Sequence, residues 1–266
     1  MTKKSSARSS QKSGRPERLY KDLAWTFPII TPLDHYIEET RQLWSILQAE
    51  ARIPVKELLH LGCGGGHNDH IFKEYARVTG IDLSEPMLEL ARALNPEVVY
   101  RHGDIRTLRL RRRFDAVVAI DSFAYLTTER DLQASFQTAF LHLNPGGVFM
   151  FLLEETKETF RQDGTTHFTN RRGEVEITFI ENRHDPDPGD TSYEAVFLYL
   201  IRRKGRLKIE TDVHRCGLFA REDVLAMLRK AGFEAGFKVY EPPRAALEYA
   251  GLAGYDTFPL FIGRKQ

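Results

Sequence analysis

The stretch ELLHLGCGGGHND, from Glu57 to Asp69, decides the fold of this chain. Four glycines fall within the five residues 62–66, directly after a run of apolar residues, and a helical pattern follows through Ile71 and Tyr75. A short apolar strand, a tight turn and the start of a helix place backbone N–H groups where a nucleotide-like ligand binds. Glycine turns also join strands to helices for packing alone, so the neighbouring segments have to separate the two interpretations.

The bulk composition is that of a globular protein. With 266 residues, the chain is long enough for one large α/β domain with an insertion or for two small domains. No segment approaches the ~20 apolar residues that span a bilayer, and the N-terminus lacks the apolar core of a secretory signal. We therefore expect a cytoplasmic protein without membrane contact. Cys63 and Cys216 provide neither a disulfide framework nor metal-ligand spacing, so we expect two reduced thiols and no metal.

Positive charge is concentrated at the N-terminus. Residues 1–21 hold seven Lys or Arg and one Glu, a charge of +6, so the total of +1 leaves −5 for the remainder. The pattern predicts a disordered, solvated tail over residues 1–18. A second basic run, RLRRRF at Arg109–Phe114, precedes a strand and is typical of a solvated loop. Because no separate nucleic-acid-binding module is present, a nucleic-acid partner is not favoured.

The periodicity divides the rest of the chain into three parts. Residues 19–52 predict a helical N-terminal cover, with Thr31 as the N-cap of its main helix. Apolar segments of strand length alternate with helical ones over residues 53–156 and 215–266, which predicts βαβ units and a parallel sheet. Residues 157–214 alternate with period two, which predicts an inserted antiparallel β region.

In a parallel sheet the ligand lies beyond the carboxyl ends of the strands. Asp82 closes the second strand sixteen positions after Gly66, where a carboxylate accepts hydrogen bonds from the hydroxyls of a ribose. This arrangement suits NAD and S-adenosylmethionine alike. His67 stands where a dinucleotide fingerprint would carry its last glycine, which counts against NAD.

Five segments in order resemble class I S-adenosylmethionine-dependent methyltransferases: LLHLGCGGG, GIDLSEPMLELAR, HGDIRTL, FDAVVAIDSFAYL and LNPGGVFMF. The resemblance implies a Rossmann-like, doubly wound, mostly parallel sheet of seven strands, with the antiparallel insertion after the fifth strand. It also implies S-adenosylmethionine as the cofactor. His60 departs from the family, which usually carries Asp or Glu at this position to organise the glycine loop.

The resemblance assigns cofactor contacts to residues of these segments. The glycine loop would bind the methionyl part, the second strand the ribose, the third-strand loop the adenine, and the fourth-strand end the methionine or the substrate. A tyrosine near the N-terminus would fold over the cofactor. The residues in question are Tyr20, Gly62, Cys63, Gly64, Gly66, Asp82, Leu83, Met87, Asp104, Ile105 and Asp121.

Within the class, the chain resembles bacterial small-molecule methyltransferases, including N,N-dimethyltransferases of nucleotide-linked amino sugars and glycine N-methyltransferase-like enzymes. The amino-sugar enzymes place a histidine after the fourth strand, and Tyr125 occupies that position here. We expect Tyr125 and His214 to be catalytic and to lie on opposite sides of the transferred methyl group, with Asp121 and His67 as further candidates. A neutral amine requires alignment alone, whereas a hydroxyl requires a base.

The predicted function is methyl transfer to a small molecule, at an amine nitrogen or alternatively at a hydroxyl. Methylation of RNA or protein is a second hypothesis, although IDSFAY replaces the Asn/Asp-Pro-Pro-aromatic motif that grips a base amine. A non-catalytic cofactor-binding subunit is a third. The edge strands of the insertion also predict a possible homodimer.

Overall fold

A computed structural model describes residues 17–244 and 257–266 of the chain. Its central sheet has seven strands in the order β3-β2-β1-β4-β5-β11-β10. All neighbours are parallel except β11, which runs antiparallel to both β5 and β10. The strands are β1 Glu57–Leu61, β2 Arg77–Asp82, β3 Val99–His102, β4 Phe114–Ala119, β5 Leu143–Leu152, β10 Glu234–Tyr240 and β11 Phe258–Arg264. The predicted doubly wound, mostly parallel sheet is confirmed.

Helices cover both faces of this sheet. They are α1 Phe27–Ile30, α2 Asp34–Glu50, α3 His67–Phe72, α4 Glu85–Leu94, α5 Glu129–His142 and α6 Arg221–Lys230. On one face, α5 and α6 bury Phe136 and Leu228 against the sheet. On the other face, α2 and α4 bury Trp44 and Leu88. Because β1 and β4 are covered on both sides, nearly all of their residues are buried, which explains why they read as continuous apolar runs.

A second sheet of four antiparallel strands lies between β5 and α6 in the chain. Its strands are β6 Gly164–Arg172, β7 Val175–His184, β8 Ser192–Arg203 and β9 Arg206–Gly217, paired in chain order. The insertion therefore follows the fifth strand as predicted, and β9 continues to Gly217 rather than ending at His214. Its inner face packs Phe179 and Tyr199 against the N-terminal cover at Leu23 and Ile29.

The N-terminal cover differs from its prediction at two points. Thr31 does not cap α2: its hydroxyl donates to the carbonyl of Phe27, 2.6 Å away, and closes the short helix α1 instead. Residues 1–16 of the predicted tail lie outside the described residues. Arg18, however, belongs to a 3-10 turn, Arg18–Tyr20, and pairs with Glu210 of β9 at 2.8 Å. The docked segment thus includes Arg18, which the sequence analysis placed at the end of the tail.

Across these described residues, every helix falls short of the length and apolar character needed to cross a membrane.

Candidate active site

A cavity of about 560 Å³ opens at the carboxyl ends of β1, β2 and β4. This volume lies within the roughly 300–1,000 Å³ typical of small-molecule sites. The glycine turn, the end of β2, the loops after β3 and β4, and the N-terminal cover form its walls. Eleven of the residues predicted from the sequence line it: Tyr20, Gly62, Cys63, Gly64, His67, Asp82, Leu83, Asp104, Ile105, Asp121 and Tyr125.

The glycine turn follows β1 with three glycines at positive φ, namely Gly62 at 73°, Gly64 at 52° and Gly66 at 76°. A Cβ at Gly62 would lie 2.1 Å from the Cβ of Ser122, and one at Gly66 would lie 2.7 Å from the hydroxyl of Tyr100. These two glycines are therefore required by packing within the protein. Gly64 has no atom within 4 Å of its Cβ position and lines the cavity, so its bare backbone is open to a ligand.

Asp82 ends β2 beside this turn. One carboxylate oxygen accepts the N–H of Gly64 at 2.8 Å, and the other accepts the N–H of Ser84 at 2.8 Å. Burial raises the pKa of Asp82, against the lowering effect of these two N–H groups. Each carboxylate oxygen keeps a further lone pair, so the side chain can still accept hydroxyl groups. The bare loop and this acceptor fit the methionyl and ribose parts of S-adenosylmethionine.

The opposite wall carries Asp104, in the loop after β3. The guanidinium of Arg106 donates to both of its carboxylate oxygens, from Nε to Oδ1 at 2.9 Å and from Nη2 to Oδ2 at 2.6 Å, and extends to Asp131 at 3.0 Å. The bonds from Arg106 hold the pKa of Asp104 below its usual range. Asp104 is therefore an ionised acceptor that suits an exocyclic amine, and Arg106 is a support that the sequence motifs did not reveal.

Tyr20 covers the cavity from the N-terminal side. Its carbonyl accepts the hydroxyl of Ser84 at 2.5 Å, and its own hydroxyl donates to that of Tyr125 at 2.8 Å. Tyr125 belongs to a 3-10 turn, Ser122–Tyr125, that follows β4. Tyr20 therefore bridges the start of α4, just after β2, and the loop after β4.

His214 does not face Tyr125 across the cavity, and this prediction is wrong. Its Nδ1 lies 3.0 Å from the Tyr125 hydroxyl, which leaves no room for a methyl group between them, and its Nε2 lies 2.8 Å from Asp212. The His214 side chain is fully buried. The register of β9 directs Asp212 and His214 to the same face of the strand, since they are two residues apart. That spacing was the only signal for Asp212 in the sequence.

Titratable carboxyl groups gather around another part of the cavity. Asp121 follows β4 at a positive φ of 62° and lines the wall. Although solvent reaches its side chain through the cavity, the surrounding protein desolvates it and, with the nearby charge of Glu39, raises the pKa of Asp121 to about 7. Desolvation also raises the pKa of Glu154 to about 8, despite its pairing with Arg183 at 3.4 Å. A cation in the cavity would stabilise their ionised forms.

Two histidines near the glycine turn have roles other than those expected. His67 starts α3 without capping it, and burial lowers the pKa of His67 to about 4, so it is neutral and a weak base at neutral pH. His60 bonds to Asp69 of α3 at 2.6 Å, with both side chains buried. Asp69 thus supplies beneath the loop the carboxylate that the family carries on the strand.

Two residues with expected cofactor contacts do not line the cavity. Gly66 packs against neighbouring protein, as described above, and Met87 is fully buried in α4 against the N-terminal cover. No cluster of three or more metal-ligating side chains occurs within residues 17–244 and 257–266.

Residues 58–147 match a family model described as a methyltransferase domain. The chain is 30% identical over 200 residues to the dTDP-3-amino-3,6-dideoxy-alpha-D-glucopyranose N,N-dimethyltransferase of Streptomyces fradiae, covering 74% of this chain and 77% of that enzyme. It is 33% identical over 183 residues to the dTDP-3-amino-3,4,6-trideoxy-alpha-D-glucopyranose N,N-dimethyltransferase of Streptomyces venezuelae, covering 68% and 76%. The chain belongs to the S-adenosylmethionine-dependent methyltransferases. Small-molecule amine methylation is the activity that these relatives share.

The fold of this methyltransferase agrees with that assignment. The sugar N-methyltransferase KedS8 from Streptoalloteichus superposes on it with a TM-score of 0.76 and 21% identity, covering 100% of both chains. The similarity therefore includes the inserted sheet and the N-terminal cover as well as the central sheet.

Proposed function

We propose that this methyltransferase adds two methyl groups in turn to the amino group of a nucleotide-linked sugar. The observation that carries the proposal is its identity of 30% and 33% with two enzymes named for dimethylation of dTDP-linked amino sugars. The carboxyl groups at the cavity support it, because an amino sugar arrives partly as a cation. A cytoplasmic location is consistent with such a substrate and is tested by fractionating cells that express the full-length protein.

The residues of the cavity divide the work between binding and alignment. The cofactor supplies an activated methyl group. Gly64 and Asp82 would hold its methionyl and ribose parts, and Asp104 its adenine amine, between Leu83 and Ile105. The Tyr20 and Tyr125 rings close the cavity, which excludes water and fixes the acceptor nitrogen. Because methyl transfer is an in-line displacement, this alignment provides most of the rate.

Asp121 would attract the ammonium group of the acceptor as well as the positive charge of the cofactor. Its position in the loop after β4 puts a carboxylate on the cavity wall between the glycine turn and Tyr125. Burial keeps Asp121 and the nearby Glu154 partly protonated near neutral pH, and a cation at this wall would stabilise their ionised forms. A substrate ammonium group is favoured at this wall, and an uncharged hydroxyl gains less.

The test is turnover with S-adenosylmethionine on dTDP-linked amino sugars, with products identified by mass spectrometry. Matched dTDP-linked sugars that carry a hydroxyl in place of the amine serve as controls. Methylation of the amines, with both mono- and dimethyl products, supports the proposal. Methylation of the hydroxyl sugars would establish the alternative O-methyltransferase activity, and cofactor binding without turnover on any substrate would indicate a non-catalytic subunit.

We also propose that two copies associate through the outer face of the insertion. Strand β9 is an edge strand, and Leu207, Ile209 and Val213 stand on one face of it with about half of their surface exposed, at 50%, 57% and 54%. Half-buried apolar residues on the same face of β8 continue this patch. Ile209→Lys should shift the mass measured by light scattering from dimer to monomer, whereas Val239→Lys, at a comparably exposed position on β10, should not. A monomeric wild-type protein would contradict the proposal.

A further inference from the structure

Four polar side chains form a continuous hydrogen-bonded chain from the cavity into the insertion. The hydroxyls of Tyr20 and Tyr125 are 2.8 Å apart, and the Tyr125 hydroxyl lies 3.0 Å from Nδ1 of His214. Nε2 of His214 lies 2.8 Å from a carboxylate oxygen of Asp212. Tyr20 and Tyr125 line the cavity, whereas His214 and Asp212 are buried.

The charge on Asp212 fixes the direction of these bonds. Burial favours the neutral acid, but the bonds from His214 and from backbone N–H groups hold the pKa of Asp212 below its usual range. An ionised carboxylate only accepts, so Nε2 of His214 carries the hydrogen. In the neutral imidazole Nδ1 is then the acceptor, and the Tyr125 hydroxyl donates to it. Tyr20 donates to Tyr125 in turn, which leaves the lone pairs of the Tyr20 oxygen for a ligand.

We propose that Tyr20, Tyr125, His214 and Asp212 form a proton relay that removes the proton from the methylated nitrogen and stores it on His214. This inference rests on the proposed amine acceptor. Both tyrosine hydroxyls already donate in the direction of His214, so a proton that arrives at Tyr20 is passed inward without any side chain changing its partner.

The chemistry balances at each atom. The lone pair of the acceptor nitrogen forms the N–C bond while the C–S bond breaks and leaves its electron pair on sulfur, so the nitrogen becomes positive. Its N–H bond then breaks, the electron pair returns to nitrogen, and the proton joins the Tyr20 oxygen. Tyr20 passes its own hydrogen to Tyr125, and Tyr125 passes its own to Nδ1. The result is an imidazolium beside the Asp212 carboxylate and a nitrogen lone pair ready for the second methyl group.

The surroundings suit the two tyrosines to this transfer. Burial raises the pKa of both Tyr20 and Tyr125, so neither hydroxyl ionises and both remain able to pass a proton. The other titratable groups that influence them are Asp82, Glu154 and the thiol of Cys216. The carboxylates among these groups oppose ionisation of either hydroxyl.

Aromatic rings enclose the imidazole of His214. Phe197 of β8 lies 4.1 Å away between ring centroids, Tyr125 5.7 Å and Tyr20 6.0 Å. The charged group that faces the ring is Asp212, whose same oxygen also accepts the backbone N–H of Leu19 at 2.8 Å. The Asp212 carboxylate therefore stabilises the imidazolium and fixes the N-terminal cover at the same time.

The product distribution tests the relay. His214→Gln keeps a hydrogen-bonding side chain but accepts no proton at neutral pH, and Tyr125→Phe breaks the chain at its centre. For both variants we expect the second methylation to slow by ~10²-fold or more, the contribution of a general base. The monomethyl sugar should accumulate, and the remaining activity should rise with pH. Tyr199→Phe is the matched control, since this buried hydroxyl of β8 has no hydrogen-bond partner within the described residues.

Two measurements separate the relay from a structural role. Cofactor affinity by calorimetry and the melting temperature should stay at the control's values in His214→Gln. In the wild-type protein without cofactor, nitrogen NMR should show the His214 hydrogen on Nε2, and Asp212→Asn should reduce the share of molecules that carry it there. Tyr20→Phe supplies a third break in the chain if Tyr125→Phe does not fold.

Distinct outcomes overturn the relay and the proposed function. Wild-type ratios of dimethyl to monomethyl product in both His214→Gln and Tyr20→Phe would overturn the relay while leaving amine methylation intact. So would loss of the second methylation in Asp121→Asn alone, because the proton would then leave through that carboxylate. If no amine is methylated at all, the proposed function fails, and a hydrogen on Nδ1 of His214 would overturn the relay by itself.

Discussion

Replacing Gly64 with alanine separates the cost of its backbone conformation from the cost of filling the cavity. Gly64 has φ of 52° and open space at its Cβ position, and Gly173, in the turn between β6 and β7, has φ of 59° and equally open space. Gly64 lines the cavity, whereas Gly173 lies on an exposed turn far along the insertion. The two positions therefore differ chiefly in what occupies the space above them.

The expected magnitudes follow from this comparison. An alanine in the left-handed region costs roughly 1–2 kcal/mol, so both variants should lose about that much free energy of unfolding in urea. At Gly64 the added methyl group also meets the bound cofactor, and overpacking of this kind costs about 1–3 kcal/mol. At ~1.4 kcal/mol for each factor of ten, Gly64→Ala should weaken S-adenosylmethionine binding by about 5- to 150-fold. Gly173→Ala should bind it as the wild-type protein does.

Calorimetric titration of both variants with S-adenosylmethionine and with S-adenosylhomocysteine provides the measurement. Because S-adenosylhomocysteine lacks only the transferred methyl group, similar losses for the two ligands would place the contact at the remainder of the molecule. Equal cofactor affinity in Gly64→Ala and Gly173→Ala would refute the reasoning, since it would show that no part of the cofactor approaches this backbone.

Three further predictions concern other parts of the chain. Asp82→Ala should weaken S-adenosylmethionine binding by ~1–3 kcal/mol, because ribose hydroxyls lose their acceptor, and unchanged affinity by calorimetry would contradict it. Deletion of residues 1–16 should leave the melting temperature and cofactor affinity unaltered, whereas deletion of residues 1–25 should lower both, as thermal denaturation and titration will show. Because the pKa of Glu154 is raised, the folded state holds more protons than the unfolded state between about pH 4.5 and 8. The free energy of unfolding should therefore fall as pH rises through that window, and it should fall less in Glu154→Gln. Urea denaturation at several pH values measures this difference.

The central sheet was predictable because its signals are local. An apolar run flanked by turn residues identifies β1 or β4 without knowledge of its neighbours, and the alternation of such runs with helical patterns dictates parallel pairing. Thr31 shows the limit of this reasoning. The sequence FPII before it forms a single helical turn, and the Thr31 hydroxyl caps the end of that turn rather than the start of α2. A four-residue helix leaves too short a pattern to detect.

The same distinction applies to the cavity. Residues within the glycine turn, the end of β2 and the loop after β3 line it as predicted, because each motif carries its own geometry. The relation of His214 to Tyr125 joins positions 89 residues apart and depends on how the inserted sheet docks. Compensation of His60 by Asp69 is also invisible without the structure, since a carboxylate nine positions away on a helix has no motif of its own.

The position of Tyr125 connects these findings. The resemblance to amino-sugar methyltransferases places a histidine after the fourth strand, where this chain has Tyr125. The imidazole of His214 reaches the Tyr125 hydroxyl from β9. Because Asp212 binds both His214 and the N–H of Leu19, the imidazole is held in register only while the N-terminal cover is docked. The cover also touches the start of α4, just after β2, because the Tyr20 carbonyl accepts the Ser84 hydroxyl. The docked cover therefore connects the segment just after β2, where the ribose would bind, to the relay at Tyr20.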